Sequence, residues 1–292
     1  MTYQGHQSWV RAIAVSPAKD FFVTASGDKT AKIWHFNQPD AVYTFGRHRS
    51  WLRCVAIQFD SQVIATGGND DSIELWEPHT GKKLSQLTGH HDWVRALLFE
   101  QHTLISASQD KTIKIWQPHR SDQAIATLRG HDHWVVSLAV SPAQQILVSG
   151  SKDHTVRLWS LFSNQILKVL VDHQAEVLTT AAHPSGKFAI SADGDGVVKF
   201  WSLQAQNILQ SFQAHGQSIN SICFSDDGQL FATGSQDKTI KIWQLKTGKA
   251  IAKLTGHQGW VWSISFLPHS YDLLSASWDT TIKYWQYTPS KK

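Results

Sequence analysis

Histidine and aspartate, the side chains most often used for acid–base chemistry and metal binding, recur at a fixed spacing in this 292-residue chain. Seven histidines follow one another at intervals of 42, 42, 41, 42, 42 and 42 residues: His6, His48, His90, His131, His173, His215 and His257. A metal or catalytic site needs unlike groups that converge on one point. Groups repeated once per unit are spread along the molecule instead, so we interpret them as structural.

Three further positions recur with the histidines. An aspartate stands at Asp28, Asp70, Asp110, Asp153, Asp195, Asp237 and Asp279. A hydroxyl precedes it by four residues at Thr24, Thr66, Ser106, Ser149, Ser191, Thr233 and Ser275. A tryptophan follows it by six residues at Trp34, Trp76, Trp116, Trp159, Trp201, Trp243 and Trp285. Indole only donates, hydroxyl and neutral imidazole donate and accept, and carboxylate only accepts, so we expect a relay Trp to Ser/Thr to His to Asp in each repeat.

The elements that position these residues are short strands. A period of about 40–45 residues is typical of a four-stranded propeller blade. An apolar strand follows each histidine, a second strand leads to the Asp turn, and a third strand ends at the tryptophan. A fourth strand is visible in six repeats, at 41–45, 83–87, 124–128, 166–170, 208–212 and 250–254. We predict an all-β fold, a seven-bladed β-propeller of four-stranded antiparallel blades, forming a single domain over residues 1–292 with repeats from His6 to Trp285.

The fourth strand of the seventh repeat is not visible. Seven residues follow Trp285, among them Pro289, which cannot donate to a strand ladder, and four residues precede Gly5. Propellers close when one terminus supplies the missing strand to the blade built by the other, and either end remains a candidate here. We predict that this seam is the weakest place in the ring. The start inside a repeat also leads us to expect a module of a longer chain.

These motifs resemble the WD-repeat (WD40) β-propeller family, and we interpret the chain as a bacterial-type member. Gly-His dipeptides stand at 5–6, 89–90, 130–131 and 256–257, and the Asp turn and strand-ending Trp recur in all seven repeats. The aspartate that usually follows the tryptophan is absent throughout, and the glycine before the histidine is replaced at Arg47, Asp172 and Ala214. The resemblance implies that the relay is structural and that partner contacts lie around the mouth of the central channel.

The composition of the chain limits the classes of protein to which it could belong. Two cysteines, Cys54 and Cys223, exclude a disulfide framework, and 27 Lys and Arg against 23 Asp and Glu give only a mildly basic chain. No signal peptide or membrane-spanning apolar run is present in the sequence, so we expect a cytoplasmic location. No phosphate loop or calcium loop is recognisable, and we expect no cofactor and no bound metal.

Seven of the 14 tryptophans do not end strands. The positions three and five after each histidine, and the one before each aspartate, are expected near the channel mouth because strands alternate in direction. Tryptophan, arginine and lysine occupy these positions on one side of the ring, in blades 7, 1, 2, 3 and 4. We name this set the crescent: Trp9, Arg11, Trp51, Arg53, Trp93, Arg95, Trp134, Lys152, Trp260, Trp262 and Trp278.

Indole and guanidinium groups are enriched at protein interfaces, and arginine binds carboxylates through a planar fork. The crescent therefore predicts a non-enzymatic interaction scaffold that binds a partner protein or an acidic peptide. Two alternatives stay open: the tryptophans three residues after the histidines pack their own loops, or the surface binds nucleic acid, for which three arginines are few. Among the mouth positions Glu176 is the sole carboxylate, which disfavours an enzyme.

Overall fold

The computed structural model describes residues 1–46 and 48–288, so Arg47 and Pro289 lie outside the described residues. Those residues form 28 strands and one short 3-10 helix, Pro142–Gln144. The strands form seven antiparallel sheets of four strands each. The predicted seven-bladed β-propeller is therefore confirmed.

Blades 1 to 4 are built from consecutive strands. Blade 1 contains β2 (Val10–Val15), β3 (Phe22–Ser26), β4 (Ala31–Trp34) and β5 (Ala41–Phe45). Blade 2 contains β6 (Leu52–Ile57), β7 (Ile64–Gly68), β8 (Ile73–Trp76) and β9 (Lys83–Leu87). Blade 3 contains β10 (Val94–Glu100), β11 (Thr103–Ser108), β12 (Ile113–Trp116) and β13 (Ala124–Leu128). Blade 4 contains β14 (Val135–Ser141), β15 (Ile146–Ser151), β16 (Val156–Ser160) and β17 (Ile166–Leu170).

Blades 5 and 6 follow the same order, and blade 7 departs from it. Blade 5 contains β18 (Val177–Ala182), β19 (Phe188–Asp193), β20 (Val197–Ser202) and β21 (Ile208–Gln213). Blade 6 contains β22 (Ile219–Phe224), β23 (Leu230–Ser235), β24 (Ile240–Gln244) and β25 (Lys249–Leu254). Blade 7 contains β26 (Val261–Phe266), β27 (Leu273–Ser277), β28 (Ile282–Trp285) and, as its outer strand, β1 (Thr2–Tyr3).

The N-terminus closes the ring. Thr2 and Tyr3 pair antiparallel with Lys283 and Ile282, which gives blade 7 an outer strand of two residues. Tyr3 is fully buried, its ring packs edge-on against Phe22 of blade 1, and its hydroxyl donates to the Phe36 carbonyl at 3.0 Å. The donor that the sequence left open is therefore the N-terminal strand, and a side chain of the neighbouring blade holds it in place.

The core lies between adjacent blades. Each inner strand contacts the inner strands of both neighbouring blades, and β26 contacts β2, which completes the ring. The apolar side chains between successive blades form the buried clusters, as where Leu52, Val55 and Trp76 of blade 2 pack on Val23 of blade 1. Both faces of each inner strand are thereby covered by neighbouring blades, which is why these strands carry apolar residues on both faces.

A β-bulge recurs at one place in every inner strand. In blade 1 the pairing of β2 with β3 shifts between Val10 and Ala12, so Arg11 is left out of the ladder. The equivalent shift leaves out the residue five after the histidine in the other six blades: Arg53, Arg95, Val136, Leu178, Asn220 and Trp262. A bulge bends the strand and re-aims the unpaired side chain. The bulge thus releases from strand pairing the position five after each histidine, one of the three that the sequence places near the channel mouth.

Candidate functional site

The four-residue relay is present in the blade interiors. In six blades the histidine Nδ1 lies 2.7 to 2.9 Å from the carboxylate of the predicted aspartate: Asp28, Asp70, Asp110, Asp153, Asp237 and Asp279. In all seven blades the hydroxyl lies 2.6 to 2.8 Å from histidine Nε2 and accepts the indole N–H at 2.7 to 2.9 Å. The carboxylate only accepts, so Nδ1–H donates to it and Nε2 accepts from the hydroxyl.

Blade 5 corrects one prediction. His173 Nδ1 lies 2.7 Å from the carboxylate of Asp193, whereas Asp195 is exposed and outside the relay. Asp193 stands two residues before Asp195, where blade 1 carries Ser26. A carboxylate at that position reaches the imidazole from the end of β19 and also accepts the backbone N–H of Val197 at 2.9 Å. Five other blades carry serine at this position and blade 2 carries Gly68, so an aspartate there was a signal that the fixed spacing to Trp201 concealed.

The relay is satisfied within each blade and offers little to a ligand. Although burial acts to raise the pKa of Asp28, hydrogen bonds from the histidine, from the neighbouring hydroxyl and from a backbone N–H hold that pKa well below its usual range. Burial lowers the pKa of His6 and His131, so their imidazoles remain neutral. Within residues 1–46 and 48–288, no group of three or more His, Cys, Asp or Glu side chains is placed to hold a metal ion.

At the mouth, the indoles of the crescent form a connected row across the seam. The rings of Trp9 and Trp278 stack at 6.1 Å with an interplanar angle of 13°. Trp9 meets Trp51 of blade 2 edge-on at 5.7 Å, and Trp260 lies 5.4 Å from Trp278 and 5.6 Å from Trp262. Aromatic pairs in this distance range are favourable beyond their area burial. Five indoles from blades 7, 1 and 2 therefore make one surface.

The basic groups of the crescent are interleaved with these rings. Arg11 Cζ lies 4.1 Å from the centroid of Trp262 in blade 7, and Arg53 Cζ lies 5.2 Å from that of Trp9 and 5.1 Å from that of Trp93. These distances are those of cation–π contacts. Asn69, whose part the sequence did not indicate, accepts the Arg53 Nε–H at 2.7 Å and fixes that side chain.

The crescent ends at blade 4. Arg95 Cζ and Lys152 Nζ lie 5.9 and 5.0 Å from the centroid of Trp134. Lys152 also pairs with Glu176 of blade 5 at 2.6 Å, so the single mouth carboxylate is already bound. Ring and cation–π contacts thus join eight of the eleven predicted residues on blades 7, 1, 2 and 3, while Arg95, Trp134 and Lys152 form a second group on blades 3 and 4.

The positive charges of the crescent act on the arginines of blades 1 and 2. Burial and the charges of Arg95 and Arg53 hold the pKa of Arg11 well below its usual value. Burial and the charge of Arg95 lower the pKa of Arg53 to about 10, and burial lowers that of Arg95. All three remain cationic at neutral pH. The mouth of blades 1 to 3 therefore holds like charges in a partly desolvated place.

The tryptophan side chains of the crescent differ in how far they are buried. A Cβ on Gly27 would lie 2.5 Å from the Trp9 ring, so Trp9 packs tightly on the Asp turn of its own blade. Trp51, Trp260 and Trp278 instead expose 45%, 40% and 49% of their surface, more than the half-buried Trp9, Trp93, Trp134 and Trp262. The exposed three offer most of their area to a partner, whereas Trp9 also serves the turn of its own blade.

The cysteines take no part in this surface. Both thiols are free, and burial raises the pKa of Cys54 and of Cys223 to about 12. Cys54 lies near the three crescent arginines but donates to the Gly67 carbonyl at 3.5 Å and is not ionised at neutral pH.

Comparison with protein families identifies the repeats. The model described as "WD domain, G-beta repeat" (WD40) matches residues 1–35, 40–77, 81–117, 122–160, 164–202, 206–244 and 248–286. The chain belongs to the WD40 repeat family. Proteins of this family are typically interaction scaffolds that bind proteins or peptides and are generally not enzymes.

Individual relatives are more distant. The chain is 24% identical over 156 residues (53% of its length, 13% of the relative) to the DENN domain and WD repeat-containing protein SCD1 of Arabidopsis thaliana. It is 27% identical over 163 residues (55% and 31%) to the nuclear distribution protein PAC1 of Arthroderma otae. It is 32% identical over 85 residues (27% and 27%) to the cross-pathway control WD-repeat protein 2 of Flammulina velutipes. The chain thus spans less than a third of each relative.

These matches correct the interpretation of a bacterial-type member. The three relatives come from a plant and from fungi, and they give that interpretation no support. The motifs shared by all WD repeats carried the resemblance, and they do not distinguish the kingdoms. No described helix has the length and apolar character that crossing a membrane requires.

Proposed function

We propose that the protein is a non-enzymatic interaction scaffold, a single domain over residues 1–292 located in the cytoplasm, which binds an acidic segment of a partner protein on the crescent. The observation that carries this proposal is the connected row of indole and guanidinium groups on blades 7, 1, 2 and 3. Tryptophan and arginine dominate the binding energy of protein interfaces. Exposed indoles offer apolar contact area, and arginines supply the charge that an acidic segment complements.

The opposite side of the mouth lacks this character. In blade 6 the Ser218 hydroxyl donates to the Gly194 carbonyl at 2.7 Å, and the Asn220 amide donates to the Val261 carbonyl at 2.9 Å. These side chains are occupied by the protein's own backbone. A partner therefore has its anchors on one side only, which fixes its orientation on the disc.

Arg53→Glu tests the proposal. Arg53 lies centrally in the crescent among three indoles, and reversing its charge should weaken binding of a captured partner at least about tenfold, as for interface hot spots. Arg120→Glu is the matched control, because Arg120 is exposed in the turn between β12 and β13 on the other face. Partners captured from the source organism with the wild-type chain are remeasured with both variants by calorimetry. Unchanged affinity in a folded Arg53→Glu variant contradicts the proposal.

Nucleic acid is the rival ligand, because basic and aromatic groups also suit single strands. Its binding would weaken steeply as salt rises, since each phosphate contact releases counterions. A titration of the chain with oligothymidylate at several salt concentrations separates the two. Tight binding with a steep salt slope, abolished by Arg53→Glu, favours nucleic acid over an acidic protein segment.

A further inference from the structure

A groove opens at the outer side of the ring between blades 3 and 4, on the face opposite the crescent. Its volume is about 290 Å³, and its walls include the turn that joins β10 to β11 and the turn that joins β16 to β17. Turns of these two kinds lie on the opposite face from the histidine loops and the Asp turns because antiparallel strands alternate in direction. A cavity of this size suits one long side chain rather than a whole ligand.

Glu100 places a carboxylate in this groove that meets no counter-charge. The residue ten after the histidine is serine in blades 1, 4 and 6, and in blades 1 and 6 its hydroxyl accepts a backbone N–H of its own turn. In blade 3 that position is Glu100, the only carboxylate in the column. Burial alone raises the pKa of Glu100, whereas Glu74 and Glu176 each pair with a lysine at 2.6 Å. The Glu100 carboxylate is therefore available to a cation from outside the chain.

An acceptor without a donor lies on the blade 4 side of the groove. Asn164 Oδ1 is buried and has no hydrogen-bond partner in the part of the chain that the structure describes. Leaving a buried polar group unpaired costs free energy. Arg120, in the turn between β12 and β13, donates to the Gln117 amide oxygen at 3.3 Å and does not reach Asn164 or Glu100. The groove thus has acceptors in surplus.

The rim of the groove is apolar and exposed. Phe162, which follows the lining residue Leu161, exposes 94% of its surface, the largest fraction among the large apolar side chains of residues 1–46 and 48–288. Ile125 lines the groove from β13 and exposes 53%. Exposed apolar area beside a binding site is typical of contact with another protein. A free small cation would leave both side chains in water.

The equivalent groove between blades 5 and 6 has different chemistry. Its volume is about 230 Å³, and the rings of Phe188, Phe200 and Phe212 form much of its lining, which includes no carboxylate among the described residues. His183 stands there at the position of Glu100, and it is bonded to a backbone carbonyl of blade 6 at 3.1 Å. The repeat therefore builds both grooves, but acceptors without partners line the one between blades 3 and 4.

We propose that the groove between blades 3 and 4 binds an arginine side chain of a second partner protein. Ile105, Ile115 and Leu161 form an apolar floor that covers the aliphatic stem. A guanidinium group has five N–H donors in a planar fork, so it can donate both to the Glu100 carboxylate and to Asn164 Oδ1. The groove lies on the face opposite the crescent, and the inference therefore goes beyond the proposed function: the propeller can hold two partners at once.

Butylguanidinium, an analogue of the arginine side chain, and its uncharged counterpart butylurea test the site without a partner. Each is titrated into the isotope-labelled wild-type chain and followed by NMR. We expect saturable shifts at the amides of Glu100 and Asn164, with butylguanidinium bound about tenfold more tightly than butylurea, because hydrogen bonds to charged groups are the stronger ones. Equal binding of the two probes, or shifts confined to the groove between blades 5 and 6, overturns the inference.

Variants assign the two acceptors. Glu100→Gln should abolish the preference for the cation. Asn164→Gly should weaken binding several-fold, and it keeps the left-handed backbone of that position, φ 58°, which Gly248 adopts at the equivalent place in blade 6. Asp40→Asn, at an exposed carboxylate between β4 and β5, is the control, and an equal loss there overturns the assignment. Circular dichroism confirms folding, and the two probes on the wild-type chain decide even if a variant does not fold.

A third variant tests whether the occupant is a protein. Phe162→Ala leaves both acceptors in place, so it should not change the binding of butylguanidinium, but it should weaken a partner protein that covers the rim. Calorimetry compares captured partners on the wild-type, Phe162→Ala and Glu100→Gln chains. If butylguanidinium binds and no partner loses affinity in either variant, a protein occupant is wrong. Loss of affinity in Arg53→Glu alone concerns the crescent, so the two proposals fail separately.

Discussion

Blades 2 and 6 have the same interior and different mouths. In blade 2, His48 bonds Asp70 and Thr66, and in blade 6 the equivalent groups bond at distances that agree within about 0.1 Å. At the mouth, blade 2 carries Trp51 and Arg53, which contact indoles of neighbouring blades, whereas blade 6 carries Ser218 and Asn220, which bond to backbone carbonyls.

The difference follows from how many partners each set of residues needs. The relay is a closed set in which each donor meets an acceptor, so changing one member leaves another unpaired in a buried place. Arg53 and Asn220 lie on a bulge outside the ladder, so their replacement disturbs no backbone pairing. The interior is therefore held constant by the fold, and the mouth is free to vary between blades with function.

Acid should act on all seven interiors at once and gives the largest expected effect. Against the opposing effect of burial, hydrogen bonds to histidine, threonine and backbone groups lower the pKa of Asp28, Asp110, Asp153, Asp237 and Asp279, and burial lowers the pKa of His6 and His131. A group whose pKa is lower in the folded than in the unfolded protein contributes its full stabilisation at pH values above the unfolded pKa. That contribution is lost as the pH falls from the unfolded pKa through the folded pKa. The loss begins below about pH 6.5 for the histidines and continues below about 3.9 for the aspartates.

Thermal unfolding between pH 8 and pH 3 measures this loss. Several aspartates and histidines lose their stabilising contribution over the same range, so together they should lower the Tm by well over about 10 °C. A Tm that stays constant from pH 7 to pH 3.5 contradicts the assignment of neutral histidine and ionised aspartate.

A single interior, that of blade 5, should show the next largest effect. Asp193→Ala removes the acceptor of His173 and of two backbone N–H groups, and we expect a loss of about 3–5 kcal/mol in the free energy of unfolding, because each buried donor left unpaired costs about 1–3 kcal/mol. Asp195→Ala is the matched control at an exposed position and should change it by less than about 0.5 kcal/mol. Urea unfolding measures the loss in both variants. Similar losses for the two would contradict the place of Asp193 in the relay and favour the prediction of Asp195.

The sequence predicted the side-chain columns that repeat in every blade, and it missed features that occur once or that depend on the pairing of two strands. Seven copies of the His, hydroxyl and Trp columns fix the blade because each copy supports the others, whereas the shift from Asp195 to Asp193 happens in one blade. The Arg11 contact with Trp262 joins residues 251 apart in the chain, and no local pattern reports it. The bulge that frees Arg11 arises from the pairing of two strands, so a period-2 pattern in one strand does not show it.

The seam should show the smallest effect, a local rather than global loss. Blade 7 has an outer strand of two residues, Thr2 and Tyr3, where blade 1 has the five residues of β5. We therefore expect the amides of β28 to exchange with solvent faster than those of β4, the equivalent strand of blade 1, because fewer ladder bonds protect that edge. Hydrogen exchange followed by mass spectrometry or NMR measures both strands in one sample.

Mouth residues also make contacts that stabilise the seam, so the interior and the mouth do not act independently at that place. The Arg11 guanidinium donates to the Trp262 carbonyl at 3.4 Å, the Ile13 N–H donates to the Ser263 hydroxyl at 3.2 Å, and Trp9 stacks on Trp278. Trp278→Ala should therefore raise the exchange rate of β28 further, while Trp134→Ala, which removes an indole of blade 4 outside that row, should leave it unchanged. Equal protection of β28 and β4 in the wild-type chain would show that Tyr3 and these contacts make the seam as firm as the other blade junctions.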